Sequence, residues 1–546
     1  MTESSNKKPI IWTISGSDCS GGAGIAADIK TGHSLDVEVC HLMTANTVQN
    51  ANHLTAINAT EVTILDEQAA ILIDDKPPSV IKIGLLANAE QVQWLTNLLV
   101  QYKQRMPTVI SVYDPVGQAS VGGRFNDLTV AQLTPLLQQV DIITPNLAEA
   151  QQLLQPTPEQ LLSVRRVNAR NHAENLAHGL YQQFAITSII IKGGHSDDKS
   201  QAEDYCYHQL NQLPGKQDNQ DKIHTAISYQ LSAPRSSSKF SHGGGCSFAS
   251  ALAAFLAHGY LVRDAFTLAK AFISQGLFIS ESSSALLNHQ YYGAFKQQSW
   301  PRVAVNTTTV FPKVSDALSE KYSTLAAFAP LDLLGRKLGL YPVIDSLYWL
   351  KRLLPLGLEI IQLRLKNIAE DTLDELIAEA INLAKQYNTR LFINDYWQLA
   401  IKHGAYGVHI GQEDIQTADL AAIQEAGIRL GISTHGCYEF VLAQQLQPSY
   451  LAIGAIFATQ TKDMTGQIQG LDNLKQVLTL RPKFETDQTP VVAIGGITLE
   501  LAQSVATLGV DSIAVVTAIT QAQQSHNISP ESMVAKLQAI AQNPKV

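Results

Sequence analysis

The 546-residue chain is 45% hydrophobic and 16% charged, with a mean hydropathy of +0.00, a balance that excludes a mainly disordered polymer and a multispanning membrane protein. Its 39 Lys and Arg against 48 Asp and Glu leave a net charge of −9 and a pI near 5.9. No nucleic-acid partner is expected from that balance, although two or three local cations suffice for a small anionic ligand.

The five cysteines are scattered and form no C-x-x-C pair, which argues against a disulfide framework or structural zinc and for a reducing compartment. MTESSNKKPI runs straight into IIWTISGS without an apolar leader, and no 18-residue stretch is free of polar groups. A soluble cytoplasmic protein with no membrane partner is the expectation.

In chain order, IIWTIS (10–15), VIKIGLL (80–86), TVISVYDPV (108–116), VDIITPN (140–146) and SIIIKGG (188–194) read as buried parallel strands with helices between them. SGSDCSGGAGIAADIK (15–30) follows the first strand and opens a helix. Its glycines serve either a tight turn or close backbone approach to a ligand. The polar segments HSDDKSQAED (195–204) and GKQDNQDK (215–222) read as solvated loops or a flap. A second glycine cluster, SHGGGCSFASALAAFLA (241–257), leads into a helix whose first amides, at Gly243, Gly244, Gly245 and Cys246, form an anion hole. The helix dipole there is expected to lower the Cys246 thiol pKa.

From about 282 the strand–helix rhythm fades, and 286–337 reads as a partly ordered connector with helical pieces such as VSDALSEKY (314–322). Beyond it, apolar runs begin near 338, 358, 390, 406, 428, 449, 490 and 512, separated by helices such as EDTLDELIAEAINLAKQYN (370–388). Eight βα units in about 200 residues is the pattern of a TIM barrel, whose functional loops follow the strand C-termini. The unusual polar residues fall there. Gln362, Arg364 and Lys366 alternate in QLRLK and so share one side of an exiting strand. Asn394 and Asp395 end the next strand, and Asp414 follows YGVHIG. Asp395 and Asp414 together could hold Mg²⁺ against a phosphate. Ser433, Thr459, Thr461, Lys462 and a Gly-Gly pair ending at Gly496 follow, and Gly496 with Val516 and Thr517 matches the usual barrel phosphate site. Taken singly, each has a structural reading, a helix cap or a turn.

In the first half, SGSDxSGGAGxxAD, TAxTxQN (44–50), KIGLL (82–86), DPV (114–116), ITPNxxEA (143–150), IKGGH (191–195) and HGxGC (242–246) occur in one order. That ordered set resembles hydroxymethylpyrimidine (phosphate) kinase of the ribokinase-like α/β/α fold over 8–285. The resemblance implies a pyrimidine held by Gly16, Asp28 and Gln49, and Mg–ATP held by Asn146, Glu149 and the 243–245 glycines. It further implies a phosphate-contacting Lys192 and a Cys246 that assists deprotonation of the substrate hydroxyl. Gly244 stands where the family commonly has threonine, Gly117 where it has methionine, and Val121 and Gly123 where it has serine and aspartate.

In the second half, QLRLK, FINDYW, GVHIGQED, GIST, TQTK, AIGGI and AVVTAIT resemble thiamine phosphate synthase over 338–525. Here the resemblance implies that Gln362, Arg364, Lys366, Asn394 and Lys462 hold the pyrimidine diphosphate and that Asp395 and Asp414 bind Mg²⁺. Ser433 would lie beside the reacting groups, and Thr459, Thr461, Gly496, Val516 and Thr517 would hold the thiazole phosphate. The expected whole is a bifunctional enzyme of thiamine biosynthesis, with a kinase domain over 1–285 and a barrel over 338–546. It would use ATP and Mg²⁺ on small-molecule substrates, with a homo-oligomer left open. The alternatives for the first half are a binding-only or pyridoxal-kinase-like domain, and for the second a thiazole tautomerase.

Overall fold

The computed structural model describes residues 8–50, 53–117, 126–155, 169–194, 200–210, 226–236, 242–287, 300, 311–333, 338–459, 468–479 and 489–543. The chain divides into two compact units, Met1–Asp316 and Ala317–Val546. The division falls inside the span expected to be a connector. On one side of it Lys313–Ser315 pairs with the first unit's sheet. On the other, Tyr322 and Ala329 bond to Ala418 and Ser449 of the barrel.

The first unit is built on β1 (Ile10–Asp18), β2 (Glu38–Gln49), β3 (Leu54–Ala59), β4 (Val80–Ile83), β5 (Ile110–Tyr113), β6 (Ile142–Ile143), β7 (Ser188–Ile191), β8 (Gln201–Gln209), β9 (Ala226–Pro234) and β10 (Lys313–Ser315). The order across the sheet is β10-β9-β8-β7-β6-β5-β4-β1-β2-β3. Its centre is parallel, and β3, β8, β9 and β10 join antiparallel.

Period-two alternation explains the layers. Ile10, Trp12 and Ile14 of β1 and Ile81 and Ile83 of β4 bury into one core with Leu65, Leu95, Leu99 and Leu180. Thr13 and Lys82, one residue out of phase, face the helix Gly24–Ser34 on the other side. That helix packs against Gly244–Ala257, which packs on Val262–Leu287. The result is the three-layer α/β/α arrangement of the ribokinase-like fold.

One reading changes here. Residues 201–204, read as solvated, begin β8. Asp204 is buried because the Gly193 amide and the Lys270 ammonium both donate to it, so its charge is met inside the fold. Residues 195–199 and 215–222 lie outside the described residues.

The second unit is a closed parallel barrel of eight strands: β11 (Gly339–Ile344), β12 (Ile360–Leu363), β13 (Arg390–Asn394), β14 (Gly407–Ile410), β15 (Arg429–Thr434), β16 (Tyr450–Ile453), β17 (Val491–Ile494) and β18 (Ser512–Val515). β11 pairs with β18 to close it, and this is the TIM barrel. Tyr341, Ile360, Phe392, Tyr450, Val492 and Ala514 fill its interior. A Cβ at Gly407 would collide with the Phe392 ring, and one at Gly431 with the Tyr450 ring. Glycines on β14 and β15 therefore make the room that these aromatic rings occupy. No helix among the described residues is long and apolar enough to cross a membrane.

Candidate active sites

In the first unit the parallel strands deliver their C-terminal residues to one edge, where ligands of open α/β sheets bind. Asp18 ends β1, Asp114 follows β5, Asn146 follows β6 and Lys192 follows β7. The two glycine loops interlock beside them. Gly243 has φ +73, and a Cβ on it would strike Gly22 O. Asp18 gathers the loop by accepting from the amides of Ser20, Gly22 and Ala23 and from His242 Nε2 at 3.0 Å. Burial opposes the charge on Asp18, but the bonds from His242 and Ser20 outweigh it and lower its pKa to about 2.

Lys192 Nζ lies 2.5 Å from Asp114 Oδ1, which also accepts from Thr144 Oγ1. Both charges sit against Gly245, in the first turn of the helix Gly244–Ala257, where an added Cβ would lie 3.2 Å from Lys192 Nζ. Asn146 caps the helix Leu147–Leu154 in a reciprocal box with Glu149. Burial raises the Glu149 carboxyl to about 7, with Lys192 lowering it and Asp114 raising it. Burial also works against the Lys192 ammonium, but Asp114 and Glu149 outweigh it and raise its pKa. The sequence motifs thus come together as one cluster of a lysine, two acids and a helix N-terminus. Asp114, quoted only as part of DPV, is a member that the sequence left without a role.

Two side chains have surroundings that the local sequence does not announce. Asp28 is wholly buried, and its carboxylate accepts from Thr13 Oγ1 (2.5 Å), Lys82 Nζ (2.8 and 3.0 Å) and Ser250 Oγ (2.6 Å). These bonds tie strand to helix at the floor of the candidate site. Gly16 and Gln49 do lie at the ends of β1 and β2; an added Cβ at Gly16 would sit 2.7 Å from Leu85 Cδ2. The other is Cys246, where the expectation is corrected: its thiol pKa is raised, not lowered. Burial is the largest cause; Lys82 lowers it, while the charges of Asp28 and Asp114 raise it. The helix-end argument had omitted those two carboxylates. The missed signal was Lys82 itself, a lysine inside the apolar strand VIKI, which demands a buried anion. Among the described residues, no heavy atom lies within 3.8 Å of a Cβ added at Gly244 or Gly117, so none of them requires glycine at either position. Val121 and Gly123 lie outside the described residues.

In the barrel the polar clusters converge at the C-terminal mouth. Lys366 Nζ lies 2.6 Å from Asp395 Oδ2, and Asp395 adopts φ +67, a left-handed conformation that turns the chain just past β13. Asp414, beyond β14, lies near enough to Asp395 for that carboxylate to act on its charge. Burial, with the Asp395 charge second, raises its pKa to about 6. Two carboxylates pressed together beside one lysine suit a hard divalent cation. The described residues contain no group of three or more His, Cys, Asp or Glu able to hold a metal, so ligand oxygens or water would complete the shell.

Half-buried Arg364 follows β12, and buried Gln362 and Asn394 line the same end. Ser433 Oγ lies 2.8 Å from His409 Nε2, and its carbonyl accepts from Gln412 Nε2 at 2.6 Å. Burial, aided by Arg364 and His435 and opposed by Asp395, lowers the His409 imidazole to about 4, so it is neutral. Gly496, at φ +64, packs on the carbonyls of Phe457 and Ala458, and Gly495 O accepts from Phe457 N at 3.0 Å. The segment leading to Thr459 is thereby seated on the glycine loop. Val516 and Thr517 start the turn after β18. Thr461 and Lys462 lie outside the described residues. The sequence also passed over His409, Tyr341 and Tyr450; period-two spacing from Gly407 would have placed His409 in the lumen.

Comparison with known proteins bears on both units. A Phosphomethylpyrimidine kinase family model matches residues 18–290, half of the chain, and a Thiamine monophosphate synthase model matches 340–519. A thiamine-phosphate synthase of Yersinia pseudotuberculosis (strain IP 31758) is 56% identical over 187 residues, covering 34% of this chain and 85% of that protein. That of Photorhabdus laumondii is 54% identical over 198 residues, 36% of this chain and 88% of that one. Among solved structures, a phosphomethylpyrimidine kinase from Clostridium difficile 630 is 24% identical with TM-score 0.38, covering 50% of this chain and 100% of the other. A thiamine phosphate pyrophosphorylase from Pyrococcus furiosus is 28% identical with TM-score 0.32, covering 37% and 98%. The chain belongs to the phosphomethylpyrimidine kinase family in its first half and to the thiamine phosphate synthase family in its second.

Proposed function

We propose that the chain carries out two consecutive steps of thiamine biosynthesis. The first unit phosphorylates 4-amino-5-hydroxymethyl-2-methylpyrimidine and then its monophosphate with ATP. The second joins the resulting diphosphate to 4-methyl-5-(2-phosphoethyl)thiazole, giving thiamine phosphate and pyrophosphate. The observation that carries this reading is the meeting of Lys366, Asp395 and Asp414 at one barrel mouth, in a chain whose other half belongs to a kinase family that makes the required diphosphate.

In the kinase step the substrate oxygen bonds to the γ-phosphorus while the bond to ADP breaks. Gly16 and Gln49 hold the pyrimidine, the amides of Gly243, Gly244 and Gly245 face the migrating phosphoryl, and Lys192 neutralises it. Asn146 and Glu149 bound the nucleotide side. Cys246, protonated at rest, orients the hydroxyl by hydrogen bonding, and the hydroxyl proton passes late to an oxygen of the migrating phosphoryl group, which suits a loose transition state with little early need of a base.

In the barrel the methylene C–O bond breaks and the thiazole nitrogen closes a C–N bond to the same carbon. Arg364, Lys366 and Lys462 stabilise the departing diphosphate, Gln362 and Asn394 hold the pyrimidine, and Ser433 stands beside the reacting carbon. Thr459, Thr461, Gly496, Val516 and Thr517 hold the thiazole phosphate. Magnesium on Asp395 and Asp414 would add charge neutralisation to the leaving group.

The test is one mixture: the chain, ATP, Mg²⁺, hydroxymethylpyrimidine and thiazole phosphate. Thiamine phosphate should form. Asp395→Asn should stop it while pyrimidine diphosphate accumulates, and Cys246→Ala should slow formation of the diphosphate itself. No diphosphate and no thiamine phosphate from the unaltered chain would overturn the reading.

A further inference from the structure

Inside the barrel, a continuous run of side-chain hydrogen bonds links two of the residues assigned above to the ligand. Gln362 Nε2 donates to Tyr341 Oη at 3.3 Å, and the hydroxyls of Tyr341 and Tyr450 meet at 2.8 Å. Tyr450 Oη lies 2.7 Å from His409 Nδ1, and His409 Nε2 lies 2.8 Å from Ser433 Oγ. The strands supplying these residues are β12, β11, β16, β14 and β15, so the run crosses the lumen. Tyr341, Tyr450 and His409 are all buried, and the His409 ring stacks on Tyr450 at an interplanar angle of 16°.

Each internal member has a single proton to give: the ring nitrogens of buried His409 both face hydroxyls, Tyr450 Oη and Ser433 Oγ, with no carboxylate among the described residues on either to hold a second ring proton. The run therefore has two consistent states. In one, every proton points from Gln362 toward Ser433. The Gln362 amide donates inward and leaves Oε1 as an acceptor, while Ser433 Oγ accepts from His409 and keeps its own proton for a partner outside. In the other, Ser433 donates to His409, each proton reverses, and Gln362 presents its NH₂ outward. A mixed state sets two protons or two lone pairs against each other in a dry interior, where an unmade hydrogen bond is most costly. The structure places Gln362 Nε2 on Tyr341, which is the first state.

We propose that this wire couples the hydrogen-bonding polarity of Gln362 to that of Ser433, so that accepting an amino group at Gln362 makes Ser433 a donor beside the reacting carbon. The inference deepens the synthase reading and rests on it. Tyr341, Tyr450 and His409 become positioning residues that touch no ligand atom. The ligand class selected is a pyrimidine with a ring amino group; a ring oxo group in its place opposes the acceptor at Gln362 and drives the wire into its reversed state.

The test measures discrimination, using the full chain and ready-made pyrimidine diphosphate with thiazole phosphate. Inhibition constants of two pyrimidine diphosphate analogues in which CH₂ replaces the oxygen between the pyrimidine methylene and phosphorus, so that no C–O bond can break, one 4-amino and one 4-oxo, are determined against thiamine phosphate formation. The ratio oxo to amino should fall about tenfold or more in Tyr450→Phe and in Tyr341→Phe, each of which removes one link and keeps the ring. Phe392→Leu disturbs the packing of both tyrosine rings without touching the wire; it should lower the melting temperature and leave the ratio unchanged. If one tyrosine variant does not melt cooperatively, the other decides. An unchanged ratio in the folded tyrosine variants, or an equal fall in Phe392→Leu, overturns the wire. No thiamine phosphate from the unaltered chain overturns the synthase reading instead, and the wire with it.

Discussion

Replacing Asp28 by asparagine asks whether that side chain is frame or binding site. Its two oxygens accept four hydrogen bonds, two from Lys82 and one each from Thr13 and Ser250, and both partners of the ion pair have wholly buried side chains. Asparagine keeps the shape but removes the charge and turns one acceptor into a donor facing a buried ammonium. Leaving one member of a buried pair uncompensated costs about 3–5 kcal/mol, a large part of a domain's usual 5–15 kcal/mol. Urea unfolding followed by tryptophan fluorescence suits the measurement, because Trp12 and Trp94 lie in this core. The midpoint of the first unit should drop by about 1–2 M, with synthesis from ready-made diphosphate unaffected. Lys82→Met should cost a similar amount, and the double variant should cost less than the sum, since the second change removes the orphaned charge. An unchanged midpoint with a large rise in KM for the pyrimidine would refute this reasoning and return Asp28 to the ligand.

Three further outcomes follow from the geometry. Gly244→Thr should fold and phosphorylate as well as the unaltered chain, since its Cβ meets open space, whereas Gly243→Ala should lose the kinase step through collision with Gly22 O at a positive φ; melting curves and ATP consumption compare them. His208 is buried against Ser188 Oγ at 2.8 Å, and burial, helped by Arg263, lowers its pKa from 6.5 to about 4. The unfolded chain therefore binds that proton first, so up to about 3 kcal/mol of first-unit stability, present above pH 6.5, should be lost as pH falls toward 4; stability against pH should be flatter in His208→Gln. Gly431→Ala should impair the synthase step and not the kinase step, because its methyl group enters the space of the Tyr450 ring; separate assays of the two steps decide it.

Much of the site was readable because strand ends are readable. An apolar run followed by Asn-Asp or Lys-Gly-Gly announces which residue leaves a parallel strand at its C-terminal end, the end at which barrels and open α/β sheets generally bind ligands. The positions of Asn394, Asp395, Asp414 and Lys192 at or just past strand ends were legible this way. The β8 segment was misread because its early residues are polar, and Asp204 is tolerated there only through Lys270 and Gly193, partners that no local pattern reveals.

By itself the sequence determined the two βα architectures, the order of the eight barrel strands and the residues delivered to each mouth, because period-two burial and glycine-rich turns are local properties. Tertiary structure alone decided which charges meet. Asp28 became an anchor because Lys82 and Ser250, 54 and 222 residues away, reach it from other elements. Cys246 lost its expected acidity because two carboxylates and burial act on it along with one lysine. His409 joined two tyrosines because the barrel closes. A pKa or a hydrogen-bond direction depends on the sum over neighbours in space, and only the folded chain brings those neighbours together.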